Sequence, residues 1–395
     1  MGQEFENPGK FNPPGMIKAL FLVFALIGFG AFIFLLKIDT DRAWSIFVVN
    51  HFYFLCLALG GVFFSCIQWV TNAMWSAPVR RLMEAFSGYL PFVFITLIVL
   101  FLGLHSIYHW THADAVATDP ILKGKAGYLN STFFIIRNII AFVIWFFFAK
   151  KMIGNSLAQD EDGSFSHTQK NRVLGPIFLI LFAVTFTMSS FDQIMSLDPH
   201  WFSTIFGVYT FAGLFYSFLA AFALLTIYMK RNGVLKAFVN ENHLHDIGKF
   251  MFAFTIFWAY IGFSQFMLIW YANLPEETGY FLRRFQGNWF YVSVFLLVGK
   301  FFVPFFALLP RSAKRSESRL IKVAIFMLIA HWMDVLWMVQ PEFFSTGPYV
   351  GLLEIGVTIG FLGIFGLMVF RFLSKHNVIA IRDPRLHEAV THHHQ

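Results

Sequence analysis

The chain has 395 residues, 57% hydrophobic, 20% aromatic and only 13% charged, with a formal net charge of +7. A soluble domain carries roughly 25% charged residues, so this chain has too little polar surface to cover itself with water. The basic excess calls for no nucleic-acid partner, because anionic lipid headgroups account for it.

Apolar runs of about 20 residues recur along the whole chain, which is the signature of transmembrane helices rather than of the alternating ten-residue strands of a barrel. The predicted fold is an all-α integral membrane protein with ten spans: 16–37, 44–70, 87–110, 129–150, 174–195, 204–229, 248–271, 287–308, 320–339 and 350–373. The first follows a short polar stretch, lacks a small-residue cleavage site and is read as a retained helix. An even number of spans puts both chain ends on one side. Twenty-one Lys and Arg residues fall on that side and six on the other, with Arg137 and Lys300 inside spans. The positive-inside rule then predicts a bacterial inner-membrane protein with cytoplasmic termini.

The connections are short. The polar stretch 159–171 reads as a solvated loop, and the closing Thr391-His-His-His-Gln395 is too short for a strong metal site. Cys56 and Cys66 fit no haem-attachment or iron–sulfur spacing and read as packing residues. His243-Leu-His245-Asp246 could contribute metal ligands, but no third or fourth ligand is fixed, and Asp246 as a helix cap is the expected role. No metal site, nucleotide-binding glycine loop or nucleophile motif is expected.

An internal repeat emerges at an offset of four spans. The fifth ends Asp192-Gln-Ile-Met-Ser-Leu-Asp-Pro199-His-Trp-Phe202 and the ninth Asp334-Val-Leu-Trp-Met-Val-Gln-Pro341-Glu-Phe-Phe344. One span earlier Arg137 matches Lys300, and one before that His105 and Gln265 each stand five residues ahead of a Trp. An even offset makes the halves parallel. The expected organisation is a first helix (1–43), two four-helix bundles (44–203 and 204–349) and a last helix with its tail (350–395).

Ionisable groups inside a membrane are costly unless paired or wetted, so each needs a reason. The candidates are His51, His105, Arg137 and Asp192 in the first bundle, and Gln265, Lys300, His331 and Asp334 in the second, with Glu354 early in the last span. Most fall toward the face opposite the chain ends. His331 and Asp334 are three apart and share a helix face. These groups suit a quinone-headgroup site or a proton relay, since His and carboxylates exchange protons readily. They equally suit two structural ion pairs, Arg137 with Asp192 and Lys300 with Asp334. A b-type haem held by His51 and His105 is a third, weaker reading.

Two parallel four-helix bundles with flanking helices resemble the NrfD/polysulfide-reductase-type membrane subunits. More closely, Ser190-Phe-Asp192-Gln-Ile-Met-Ser-Leu-Asp198-Pro-His-Trp-Phe-Ser203, His245-Asp-Ile-Gly-Lys249, Phe257-Trp-Ala-Tyr260-Ile-Gly-Phe-Ser-Gln265 and Ile269-Trp-Tyr-Ala-Asn273-Leu-Pro-Glu-Glu277 resemble alternative complex III, a quinol:cytochrome c oxidoreductase. The match is to its shorter, ActF-type membrane subunit and covers nearly the whole chain. The resemblance implies a subunit that is not catalytic by itself, working beside a sister NrfD-like subunit, a multihaem cytochrome c, an iron–sulfur/molybdopterin-like subunit and a terminal oxidase. It implies menaquinone as the candidate cofactor, with haem and iron–sulfur clusters in the partners. In that family the quinol site is assigned to the sister subunit and the shorter one is given a proton-carrying or supporting role. His105 and Asp192 stand in places like the family's quinol-site His and Asp.

Two rivals remain at this point. One is a purely structural membrane anchor. The other is a stand-alone secondary transporter, against which the spans show no paired Gly/Pro interruptions at matching depth, although Pro91, Pro176 and Pro304 leave room for one.

Overall fold

The computed structural model describes residues 7–391, and within them the chain is helical, with ten helices long and apolar enough to cross a membrane. These spans 1 to 10 are Gly15–Ile38, Thr40–Val70, Arg80–Leu102, Ser131–Asp162, Phe165–Leu197, Phe206–Arg231, Glu241–Ala272, Trp289–Leu308, Glu317–Glu342 and Leu352–Lys375. All ten expected spans are present. The His-rich ending, residues 392–394, lies outside the described residues.

Three boundaries differ from expectation for local reasons. The stretch 159–171 is not a loop. Span 4 runs to Asp162, Gly163 takes a left-handed φ of 68° that stops it, and span 5 starts at Phe165 under a Ser164 cap. Polar composition marks exposure there, not loss of helix, and only the glycine breaks the run. Span 3 stops at Leu102, because Gly103 presses against the Trp44 ring, and His105 falls in a separate single turn. Span 7 begins at Glu241 and is capped by Asn240, whose side chain accepts from the backbone N–H of Asn242 and His243. Asp246, the expected cap, lies inside the helix and pairs with Lys249 at 2.7 Å.

Span 2 is the central element. Of its apolar stretch 94% is buried, against 17% in span 1, so one is an axis and the other a peripheral helix. Span 2 packs on spans 5, 6, 9 and 10, and span 6 on spans 2, 5, 7 and 9. Its neighbours interdigitate through aromatic rings, such as Phe64 against Phe215, Phe218 and Phe222. Aromatic side chains bring large contact area, which matters where lipid removes the hydrophobic drive to associate.

Spans 1 and 10 pair antiparallel at the edge. A Cβ on Gly28 would lie 2.3 Å from the Gly360 Cα, so only glycine at both positions lets the backbones approach this closely. At the face carrying the chain ends, Lys10 bridges to Asn377, and Phe11 N–H and Val378 N–H donate to the Leu373 and Gly9 carbonyls. The segments just before span 1 and just after span 10 are thereby stitched together.

The tail beyond span 10 docks on the same face. Asp383 pairs with Arg80, and Arg81 pairs with Glu84 at 2.5 Å and with Asp160 at 2.6 Å. Arg80 and Arg81 count as loop charges by sequence, yet both are buried.

Candidate buried-charge site and aromatic cavity

The expected cation–carboxylate pairs form in both halves. Arg137 on span 4 is bidentate to Asp192 on span 5: Nε donates to Oδ2 at 2.9 Å and Nη2 to Oδ1 at 2.8 Å. Its Nη1 donates to the Tyr128 carbonyl at 2.9 Å, and the Tyr128 and Phe133 rings cover the guanidinium at 3.8 and 4.2 Å. Every face of this guanidinium is occupied. A planar fork in such a site is well satisfied, which is the geometry of a structural pair.

The second pair is built differently. Lys300 on span 8 sits within a π-helical turn, Leu296–Phe302. Pro304 lies four residues on and has no N–H, so the Lys300 carbonyl loses its helical partner. The Tyr216 hydroxyl of span 6 donates to that carbonyl at 3.1 Å instead. Such turns recur at functional sites. Here the turn, with span 8 packed against spans 7 and 9, holds the ammonium within reach of span 9.

The ammonium contacts both predicted partners on span 9. It donates to Asp334 Oδ2 and, at 3.0 Å, to His331 Nδ1. An ammonium can only donate, so Nδ1 accepts and the imidazole proton is placed on Nε2. That Nε2 is buried with no hydrogen-bond partner among the described residues. The ring fits because span 6 carries Gly213 opposite it, where a Cβ would come within 2.5 Å of His331 Cε1. Asp334 Oδ1 accepts from the Tyr209 hydroxyl at 2.5 Å. The Trp258 ring faces Lys300 Nζ at 4.2 Å. Lys300, His331, Asp334, Tyr209 and Tyr216 thus form one buried network of three charged or ionisable groups and two phenols.

Beside it lies a cavity of about 410 Å³ between spans 6, 7, 8 and 9. Tyr209, Trp258, Gln265, Tyr280, Phe281 and Trp337 are among its walls, so Tyr209 of the network and Trp258, whose ring faces Lys300, also line the cavity. The lining is aromatic and aliphatic apart from Gln265 and Ser293. The Ser293 hydroxyl is engaged by Trp337 Nε1 at 2.8 Å and donates to the Arg284 carbonyl at 2.7 Å. The Gln265 amide makes no hydrogen bond to another described residue.

The short helix Pro275–Arg284 bounds the cavity at the face opposite the chain ends. Tyr280 stacks on Trp201 with ring centroids 3.8 Å apart. Arg283 pairs with Asp198 and, at 3.4 Å, with Glu342. It therefore ties together the two Asp–Pro corners that the sequence repeat marks. Burial, together with neighbouring carboxylates, pushes the Tyr280 phenol up and keeps it neutral at physiological pH. Arg284, a loop residue by sequence, is fully buried. It donates to the Trp337 and Met338 carbonyls at 3.1 and 2.9 Å, with the Tyr280 ring 3.4 Å from its centre.

The remaining candidates lie apart from this network. His51 is buried, with Nδ1 2.8 Å from Thr96 Oγ1 on span 3. Glu354 is buried and pairs with Arg42 at 2.7 Å, while its other oxygen accepts from Gly351 N–H at 2.8 Å. That pair pins the start of span 10 to the start of span 2. His105 is exposed and its ring lies tilted against that of His112, the centroids 3.9 Å apart. It therefore does not join Asp192, and its counterpart Gln265 is buried in the cavity wall, so this third member of the repeat is not matched in environment. No group of three or more His, Cys, Asp or Glu able to hold a metal occurs among the described residues.

Neither models of known protein families nor curated proteins give a match to this chain.

Proposed function

We propose that this chain is an integral membrane subunit of a quinol-oxidising respiratory complex of the alternative complex III type. In this reading it lies in a bacterial inner membrane with cytoplasmic termini, its spans arranged as two parallel bundles of four with one helix on each flank. The observation that carries the reading is the buried Lys300–His331–Asp334–Tyr209 network sharing Tyr209 with an aromatic cavity. A structural anchor needs one closed ion pair per bundle; the first bundle has that. The second adds an imidazole with an open Nε2 position and a phenol between the carboxylate and the cavity.

The cavity is of the size and character of small-molecule sites, mostly apolar with few polar groups. Its aromatic walls suit a flat quinone ring, and the Gln265 amide is available to orient one. A bound quinol would supply two electrons and two protons. The chain's own part is to hold a proton-accepting carboxylate at Asp334. The Tyr209 hydroxyl links that carboxylate to the cavity edge, and His331 lies one helical turn from Asp334, its Nδ1 3.6 Å from Asp334 Oδ2. Lys300 donates to Asp334 and so offsets its charge within the membrane.

The partners proposed are those of the resemblance: a sister membrane subunit, a multihaem cytochrome c, an iron–sulfur subunit and a terminal oxidase. Asp334→Asn in the assembled complex is the test. It is expected to lower quinol turnover and the proton-to-electron ratio, while Asp192→Asn lowers the yield of intact complex and leaves activity per complex unchanged. Wild-type turnover and stoichiometry in both variants would refute the relay and leave the anchor reading. Isolation of the chain as a functional transporter without haem-bearing partners would refute the assignment altogether.

A further inference from the structure

A cleft of about 340 Å³ opens between the ends of spans 1 and 10 on the face that carries both chain ends. It is independent of the buried-charge network. Lys18 and Phe21 contribute from the first two turns of span 1, and Leu367, Met368, Arg371 and Ser374 from the last turns of span 10. Above it the two helices touch backbone to backbone at Gly28 and Gly360, and Phe21 stacks on Phe370 with centroids 6.0 Å apart. The cleft therefore has an apolar floor and sides, and a rim with two cations.

Among the described residues those cations are uncompensated. Lys18 and Arg371 are exposed, and neither forms an ion pair with a described residue. No Asp or Glu occurs from residue 7 to 38 or from 355 to 382. Lys10 and Lys375 add further positive charge nearby in sequence. Two cations at a helix end, above an apolar cleft that continues into the span, match the two-part chemistry of an amphiphile with an anionic head and hydrocarbon tails. The adjacent membrane surface supplies that class of ligand.

We propose that this cleft is a binding site for one anionic phospholipid. The phosphate would sit between Lys18 and Arg371 and an acyl chain would run along Phe21, Leu367 and Met368. The bound lipid fills the seam where the first and last spans meet, at the point where glycine contacts give way to larger side chains.

The test is native mass spectrometry of the full-length chain, with whatever subunits co-purify, titrated with dioleoylphosphatidylglycerol, with dioleoylphosphatidylcholine, and with inorganic phosphate. At about a factor of five per basic residue, Lys18→Gln/Arg371→Gln should weaken phosphatidylglycerol binding about thirtyfold and leave phosphatidylcholine binding unchanged. Lys18→Arg/Arg371→Lys should retain it. Either single Gln variant, losing about fivefold, replaces the double variant if that does not accumulate. Equal affinity for the two lipids in the wild-type chain, or no loss in the Gln variants, means unspecific annular lipid and overturns the proposal. Displacement of the lipid by inorganic phosphate at equal concentration means a free-anion site, and also overturns it. A co-purifying subunit that occludes the cleft and excludes phosphatidylglycerol does the same.

Discussion

Replacing Asp192 by Asn tests the energetics of the ion pair between spans 4 and 5 directly. The substitution leaves the Arg137 guanidinium buried with one full-strength acceptor, the Tyr128 carbonyl at 2.9 Å. Removing one partner of a buried pair costs about 3–5 kcal/mol. The Tyr128 and Phe133 rings remain against the cation, and a desolvated cation–aromatic contact is worth about 2 kcal/mol. The expected loss is therefore at the lower end, about 3 kcal/mol, or roughly 150-fold in the folding equilibrium. Arg137→Met should cost about as much, because it strands the carboxylate with the neutral donors Asn138, at 3.4 Å, and Tyr128. The double variant Arg137→Met/Asp192→Leu removes both charges and should fall within about 1 kcal/mol of wild type. Equilibrium unfolding in mixed micelles, followed by tryptophan fluorescence, measures all three. Single losses below about 1 kcal/mol, or a double variant that shows the sum of the single losses, would refute the pairing argument.

Two further predictions concern the tail and the flanking helices. Burial raises the Asp383 carboxyl, but Arg80, the Arg385 backbone N–H and the Arg385 guanidinium outweigh it and hold it below the usual carboxylate value of 3.8. The contribution is full above the undocked value of 3.8 and is lost as pH falls from there through the depressed docked one. A spin label on Thr391→Cys should therefore be immobile at neutral pH and become mobile only as pH falls well below 3.8. With Asp383→Asn added it should be mobile throughout, and an immobile label in that variant at neutral pH would count against the clip. Gly360→Leu places a side chain where the Gly28 backbone lies and should separate span 1 from span 10. A cysteine pair spanning that crossing should then fail to crosslink, whereas retained crosslinking would show that the contact is not the one described.

The spans were legible because their apolar lengths depend on membrane thickness alone. The pairs Arg137–Asp192 and Lys300–Asp334 were legible because charges at matching depth on consecutive spans have few other partners. His331 followed from its three-residue spacing to Asp334. Arg284, Arg80 and Arg81 were missed for one reason: a charge at a span end is solvated by default, and contacts distant in sequence complete the burial of these three. Trp337 and Met338 enclose Arg284, and the tail carboxylate Asp383 meets Arg80. Tyr209 was missed as well, since one phenol among many aromatic residues carries no local signal until span 6 is seen beside span 9. The environment of His105 could not be read because Gly103, a residue with no polar character, ends the helix before it.

The seam between spans 1 and 10 bears on how the protein is made. Of the ten described spans, span 1 leaves the ribosome before the others, and the one it packs on most is the tenth. At about 5–20 residues per second, translation separates them by on the order of half a minute. During that time the leading helix has its glycine face open to lipid. The molecule is then sealed in one late event, when the tenth span slots against the first and the segments flanking that pair are laced together. A nascent chain truncated before span 10 would carry an unsealed edge, a recognisable mark of an unfinished product to membrane quality control.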